Sequence, residues 1–184
     1  MMERIAEESP HPRARITGVV YLFYFLTAVS AEAFVGRGRL VAYDAVNLIA
    51  YVFYIAVTLL FYYLFKPVNR SLSLLAVFFS LIGCGNDVLG LFNLAPYKIS
   101  SLVFFGPYCL LLGYLIFRST FLPRILGVLM ALAGLGWLIF LTPLANHLST
   151  YLKVLGFLAE LSLMLWLIVK GVNVQQWKEQ ASAA

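Results

Sequence analysis

The sequence predicts an all-α integral membrane protein, a six-transmembrane-helix bundle with both termini in the cytoplasm. Three observations lead there. The 184 residues are 62% hydrophobic and only 11% charged, whereas a soluble domain is roughly 45–50% apolar and about 25% charged. The apolar residues form continuous runs near the ~20 residues that a helix needs to cross a hydrocarbon core of about 30 Å. The basic residues gather between alternate runs. A soluble fold, a disordered chain, a coiled coil and a disulfide scaffold are excluded by the same composition, and runs without alternation exclude a β-barrel.

Charges, Pro and Gly cut the chain into spans at Ile16–Val35, Tyr43–Phe65, Ser71–Leu94, Ile99–Phe117, Leu122–Ala145 and Leu148–Val169. The first run follows Arg13 and Arg15 and ends near Val29-Ser30-Ala31, which resembles a cleavable signal peptide. Its length and its tyrosines argue for a retained helix. With the N-terminus inside, the cytoplasmic face carries Arg4, Arg13, Arg15, Lys66, Arg70, Arg118, Arg124, Lys170 and Lys178. The outer face keeps Arg37, Arg39, Lys98 and Lys153. This asymmetry satisfies the positive-inside rule. The domain plan is a cytoplasmic tail at 1–14, a transmembrane domain at 15–171 and a cytoplasmic tail at 172–184, in which Trp177 reads as an interfacial anchor. Matches at an offset of 51 residues, such as Gly83 and Gly85 with Gly134 and Gly136, suggest a duplicated hairpin.

Within the spans, Gly106-Pro107 predicts a bend in the fourth helix. Gly127-x-x-x-Ala131 and Ala133-Gly134-x-Gly136 offer smooth surfaces for helix contact. Tyr21/Tyr24 and Tyr51/Tyr54 are spaced to share one helical face.

Ionisable residues inside spans are costly and need a reason. Counting ~1.5 Å per residue from the cytoplasmic basic anchors puts Glu32 and Asp87 roughly 25 Å up and Asp44 about 33 Å up. Glu160 is only about 15 Å from Lys170, near the midplane. The outer acids therefore share a layer with the outer bases, with Glu160 beneath them. One reading is an outward-facing polar vestibule floored by a carboxylate able to relay protons or hold a cation. The plainer reading has Asp44 and Glu32 pairing with the outer bases, and Glu160 hydrogen-bonded to a Tyr or Ser of a facing helix. Asn86-Asp87, after Gly83-Cys84-Gly85, and Asn47 complete the candidate buried site, with Asp44, Lys98 and Lys153 as its outer rim.

Several absences narrow the chemistry. Cys84 and Cys109 lie in apolar runs without metal spacing, and His11 lies in the N-terminal tail with His147 at the outer rim, so neither a metal nor a haem site is expected. No catalytic residues stand out, no cofactor is predicted, and no phosphate loop or nucleophile elbow occurs. The expected partners are the lipid bilayer and other membrane proteins or further copies of this chain, without nucleic acid.

The runs Arg15-Ile-Thr-Gly18, Leu48-Ile-Ala-Tyr-Val-Phe-Tyr54, Lys66-Pro-Val-Asn-Arg-Ser-Leu72, Tyr108-Cys-Leu-Leu-Leu-Gly-Tyr-Leu-Ile-Phe-Arg-Ser119, Leu122-Pro-Arg-Ile-Leu-Gly127 and Ala159-Glu-Leu-Ser-Leu resemble the bacterial membrane-protein family called domain of unknown function 4386. The resemblance implies a multi-pass membrane protein and supplies no activity. This chain departs from it in shorter outer connections, and in Ala95-Pro-Tyr-Lys98 where the family carries His-containing segments.

Three functions fit. Small size and abundant packing faces favour a compact accessory subunit of an assembly in the bacterial plasma membrane. A small-solute or ion carrier working through Glu160 and Asp87 predicts a water-accessible cavity reaching Glu160. An intramembrane lipid-acting enzyme ranks last, for want of a His/Asp or Ser/His constellation.

Overall fold

The computed structural model describes residues 10–35, 40–94 and 100–183. Arg4, Arg37, Arg39 and Lys98 lie outside them. Among the described residues there are seven α-helices and no strand. They are α1 (Pro10–Ser30), continued by a π-helical turn Ala31–Val35, α2 (Leu40–Phe65), α3 (Arg70–Leu91), α4 (Leu102–Arg118), α5 (Arg124–Leu138), running into a 3-10 turn Ile139–Leu141, α6 (Ala145–Val169) and α7 (Val174–Ser182). Five segments are long and apolar enough to cross a bilayer: Pro10–Ala33, Val41–Phe65, Arg70–Leu91, Arg124–Leu141 and Ala145–Val169. The shorter apolar helix α4 has 17 residues.

Local chemistry sets the boundaries. Asn69 starts α3, its side-chain oxygen accepting from the Leu72 N–H at 2.9 Å. A turn at Phe92–Asn93 ends α3 short of the expected Leu94, with Asn93 in the left-handed region at φ 56°. The expected fifth span to Ala145 likewise stops early, because Thr142–Leu144 form a turn. Pro107 sits in the second turn of α4, which continues through it as helix.

Each of α1 to α6 packs on its chain neighbours, and α6 closes back on α1. Successive helices run antiparallel, as where Gly106 of α4 meets Gly134 of α5 and Gly113 meets Gly127. Phe23 stacks on Phe53, with ring centroids 5.6 Å apart. Thr58 and Ser80 share a buried hydrogen bond of 2.7 Å between α2 and α3. Phe25 meets Phe157 edge-on at 5.3 Å across the α1–α6 closure. The result is an up-and-down ring of six antiparallel helices around one core.

The tightest seam joins α4 and α5. A Cβ at Gly127 would lie 2.6 Å from the Gly113 carbonyl oxygen, and one at Gly134 would lie 2.8 Å from that of Gly106. Backbones approach this closely only where side chains are missing. The two hairpins related by the 51-residue offset are packed differently: the positions equivalent to Thr58 and Ser80 are Cys109 and Ala131, in a seam made by glycines.

The outside of the ring is apolar. Phe23, Val52, Phe78, Phe117, Leu135 and Leu165, one from each of α1 to α6, are all large and exposed. A surface of this kind all round is stable facing hydrocarbon and aggregates in water.

The C-terminal segment expected as a tail forms α7. Asn173 caps it, its side-chain oxygen accepting from the Gln176 N–H at 3.2 Å. Trp177 is not an interfacial anchor: it is 4% exposed, and its indole N–H donates to the Leu64 carbonyl at 3.0 Å. The Asn173 N–H reaches the Phe121 carbonyl at 3.3 Å, so α7 ties the end of α2 to the α4–α5 turn.

Candidate functional site

At the opposite end of the ring from α7 lies a cavity of about 280 Å3. Because the helices alternate in direction, the late residues of α1, α3 and α5 meet the early residues of α2, α4 and α6 there. Glu32, Asn47, Asp87, Lys153 and Glu160 all contribute to its lining. Lys153 and Glu32 are exposed at the mouth, and Glu160, seven residues below Lys153 on α6, lies roughly 10 Å deeper.

Each of the three acids in the lining accepts a hydrogen bond from a hydroxyl group. The Tyr21 hydroxyl donates to Glu160 Oε2 at 2.7 Å, tying α1 to α6 at the cavity floor. The Tyr43 hydroxyl donates to Glu32 Oε1 at 2.5 Å. The Ser101 hydroxyl donates to Asp87 Oδ1 and accepts from Asn86 Nδ2 at 3.1 Å, locking α3 to the start of α4. Hydroxyl donors to a carboxylate hold it in place without cancelling its charge.

The remaining candidates divide. Asn86 is turned to Ser101 and does not line the cavity. Asn47 lines it while its amide N–H donates to the Tyr43 carbonyl at 2.9 Å. Asp44, one turn earlier, does not line it. Lys98 lies outside the described residues. Among the described residues, no three of His, Cys, Asp and Glu come close enough to share a metal ion.

What sequence reasoning underweighted is the wall. Tyr24, Tyr51, Tyr54, Phe105, Trp137 and Phe157 all face the cavity. Tyr24 and Tyr54 approach to 4.7 Å between ring centroids, and Phe105 meets Tyr54 edge-on at 5.3 Å. The i,i+3 tyrosine pairs on α1 and α2 were the available signal, since Tyr24, Tyr51 and Tyr54 of these pairs all line the cavity. Trp137 carried none. Its ring is seated over Gly156, which leaves no room for a side chain on α6. Its indole nitrogen and the Tyr108 hydroxyl are buried without a hydrogen-bond partner.

A ring of helices apolar on the outside, with a polar, aromatic-walled cavity at one end, is the architecture of a helical membrane protein. The chain matches the family described as "Domain of unknown function (DUF4386)" over residues 36–99 and 97–171, and it belongs to that family. A relative from Archaeoglobus fulgidus, described as an uncharacterized protein, is 30% identical over 136 residues, covering 66% of this chain and 79% of the relative. No solved structure matches. The family match includes Asn47, Asp87, Lys153 and Glu160, while Tyr21 and Glu32 precede it.

Proposed function

We propose that this chain is a six-span plasma-membrane protein, both termini cytoplasmic, that takes up a small solute from the outer side into the cavity above Glu160, as a carrier would. The observation that carries this reading is the cavity itself, which runs from exposed Lys153 and Glu32 down to the Glu160 carboxylate. Its volume is just below the ~300 Å3 at which drug-sized sites begin, which suits a solute of a few heavy atoms. The antiparallel order supports six spans, with α4 17 residues long, or ~26 Å. The basic residues near the α7 end, among them Lys66, Arg70, Arg118, Arg124 and Lys170, support placing that end in the cytoplasm. This orientation leaves the cavity facing outward, in the plasma membrane of a bacterium on the family resemblance.

The accessory-subunit reading retains one supporting observation. Gly85 and Gly90 on α3 look into open space, where a partner helix could approach. The lipid-enzyme reading has no observation in its favour.

The test is Asn47→Cys in a background lacking Cys84 and Cys109, treated on intact cells with a membrane-impermeant maleimide. Labelling from outside is expected. Labelling only after the cells are opened, or none in the folded protein, overturns the outward-facing cavity.

A further inference from the structure

Resting on the reading of the cavity as a solute site, we propose that its ligand is a small organic ammonium cation, a tetraalkylammonium or methylated amine, held between the aromatic walls and the Glu160 carboxylate. Three observations converge. Among the described residues, the lining holds three carboxyl groups, Glu32, Asp87 and Glu160, and one ammonium, that of Lys153, which sits at the mouth. The walls are aromatic, and their rings are set at different angles: 58° between Tyr24 and Tyr54, and 85° between Tyr54 and Phe105. The rings line the cavity without stacking in parallel on one another. A ring face attracts a cation most strongly where water is excluded.

The third observation decides between kinds of cation. An inorganic ion needs several oxygens converging at short range to replace its hydration shell. Here the acids are spread along the cavity, and among the described residues no three metal-binding side chains come together. A diffuse negative field with apolar, polarisable walls suits a cation whose charge is spread over alkyl groups and whose hydration is weak. Each acid is also held by a hydroxyl from a second residue, so the carboxylates are preoriented before a ligand arrives. Glu160 retains Oε1 for the ligand while Oε2 accepts from Tyr21.

The experiment is calorimetric titration of the purified full-length chain in detergent with tetramethylammonium chloride, sodium chloride and glycine betaine at matched ionic strength. Saturable binding of tetramethylammonium is expected, with none for sodium. Glu160→Gln, whose amide oxygen still accepts from Tyr21, should weaken it about tenfold or more. Lys153→Gln, at the exposed mouth, should tighten it about two- to fivefold by removing a like charge.

Glycine betaine bound more tightly than tetramethylammonium would overturn the monocation and leave the solute site standing, with Lys153 as the carboxylate partner. Binding of no probe by protein that still labels at Asn47→Cys would overturn the ligand class alone. Loss of both would overturn the cavity reading as well. A titration unaffected by both Glu160→Gln and Lys153→Gln would overturn the assignment of the site.

Discussion

Two glycine-to-alanine substitutions on different helices, α5 and α3, should change stability in opposite directions. At Gly127 the added Cβ would lie 2.6 Å from the Gly113 carbonyl oxygen and 2.9 Å from the Phe117 backbone nitrogen. The shorter contact is 0.8 Å inside the 3.4 Å at which ordinary contact begins. Both neighbours are backbone, so no rotamer change relieves the clash and α4 must move away from α5. Overpacking of this kind costs about 1–3 kcal/mol. The shift also loosens Gly113 and Gly134 on the same seam. At Gly85, in the body of α3, the added Cβ meets nothing within 4 Å. Only helix propensity changes there, and alanine gains about 0.8–1 kcal/mol over glycine. For a chain of this size 1 kcal/mol moves a melting temperature by about 2–4 °C. Thermal unfolding in a mild detergent should therefore show Gly127→Ala lower by roughly 2–12 °C and Gly85→Ala slightly higher. Equal shifts, or a Gly127→Ala melting temperature at or above wild type, would refute the close α4–α5 seam.

Other consequences follow from the polar contacts. Tyr21→Phe removes the donor to Glu160, and a double-mutant cycle with Glu160→Met should give a coupling of about 0.6–1.7 kcal/mol, the range of hydrogen bonds inside membranes; a coupling near zero would mean the two groups do not meet. Trp177→Phe keeps the ring and loses the bond to the Leu64 carbonyl, and should cost about 1 kcal/mol. Trp177→Ala should release α7 and make the Lys170–Asn173 linker a site of limited proteolysis, detected by the loss of a C-terminal epitope. An unchanged digest would show that α7 is held elsewhere.

The spans were legible because crossing a bilayer imposes length and composition on each segment separately. The layer of acids was legible for a related reason: rise per residue is constant, so depth can be counted along one helix. Neither argument reaches across helices. Asp44 and Asn47 are one turn apart, and only Asn47 lines the cavity. Asn86 and Asp87 are adjacent, yet Asp87 lines the cavity while Asn86 is turned to Ser101. The carboxylate of Glu160 was visible from the start; its partner, 139 residues away, was not. α7 escaped notice because nine residues rich in glutamine carry no apolar run, and its helix depends on a cap at Asn173 and on burial of Trp177.

What the sequence by itself determined is the list of long apolar helices and their order, properties of one segment in one solvent. The tertiary structure decided which faces turn inward. Ring closure of α1 on α6 at Gly18 and Tyr21 assembles a polar cavity from acids and aromatic rings contributed by all of α1 to α6. Rotation about a helix axis is set by packing between helices, and a sequence read one helix at a time carries no record of it.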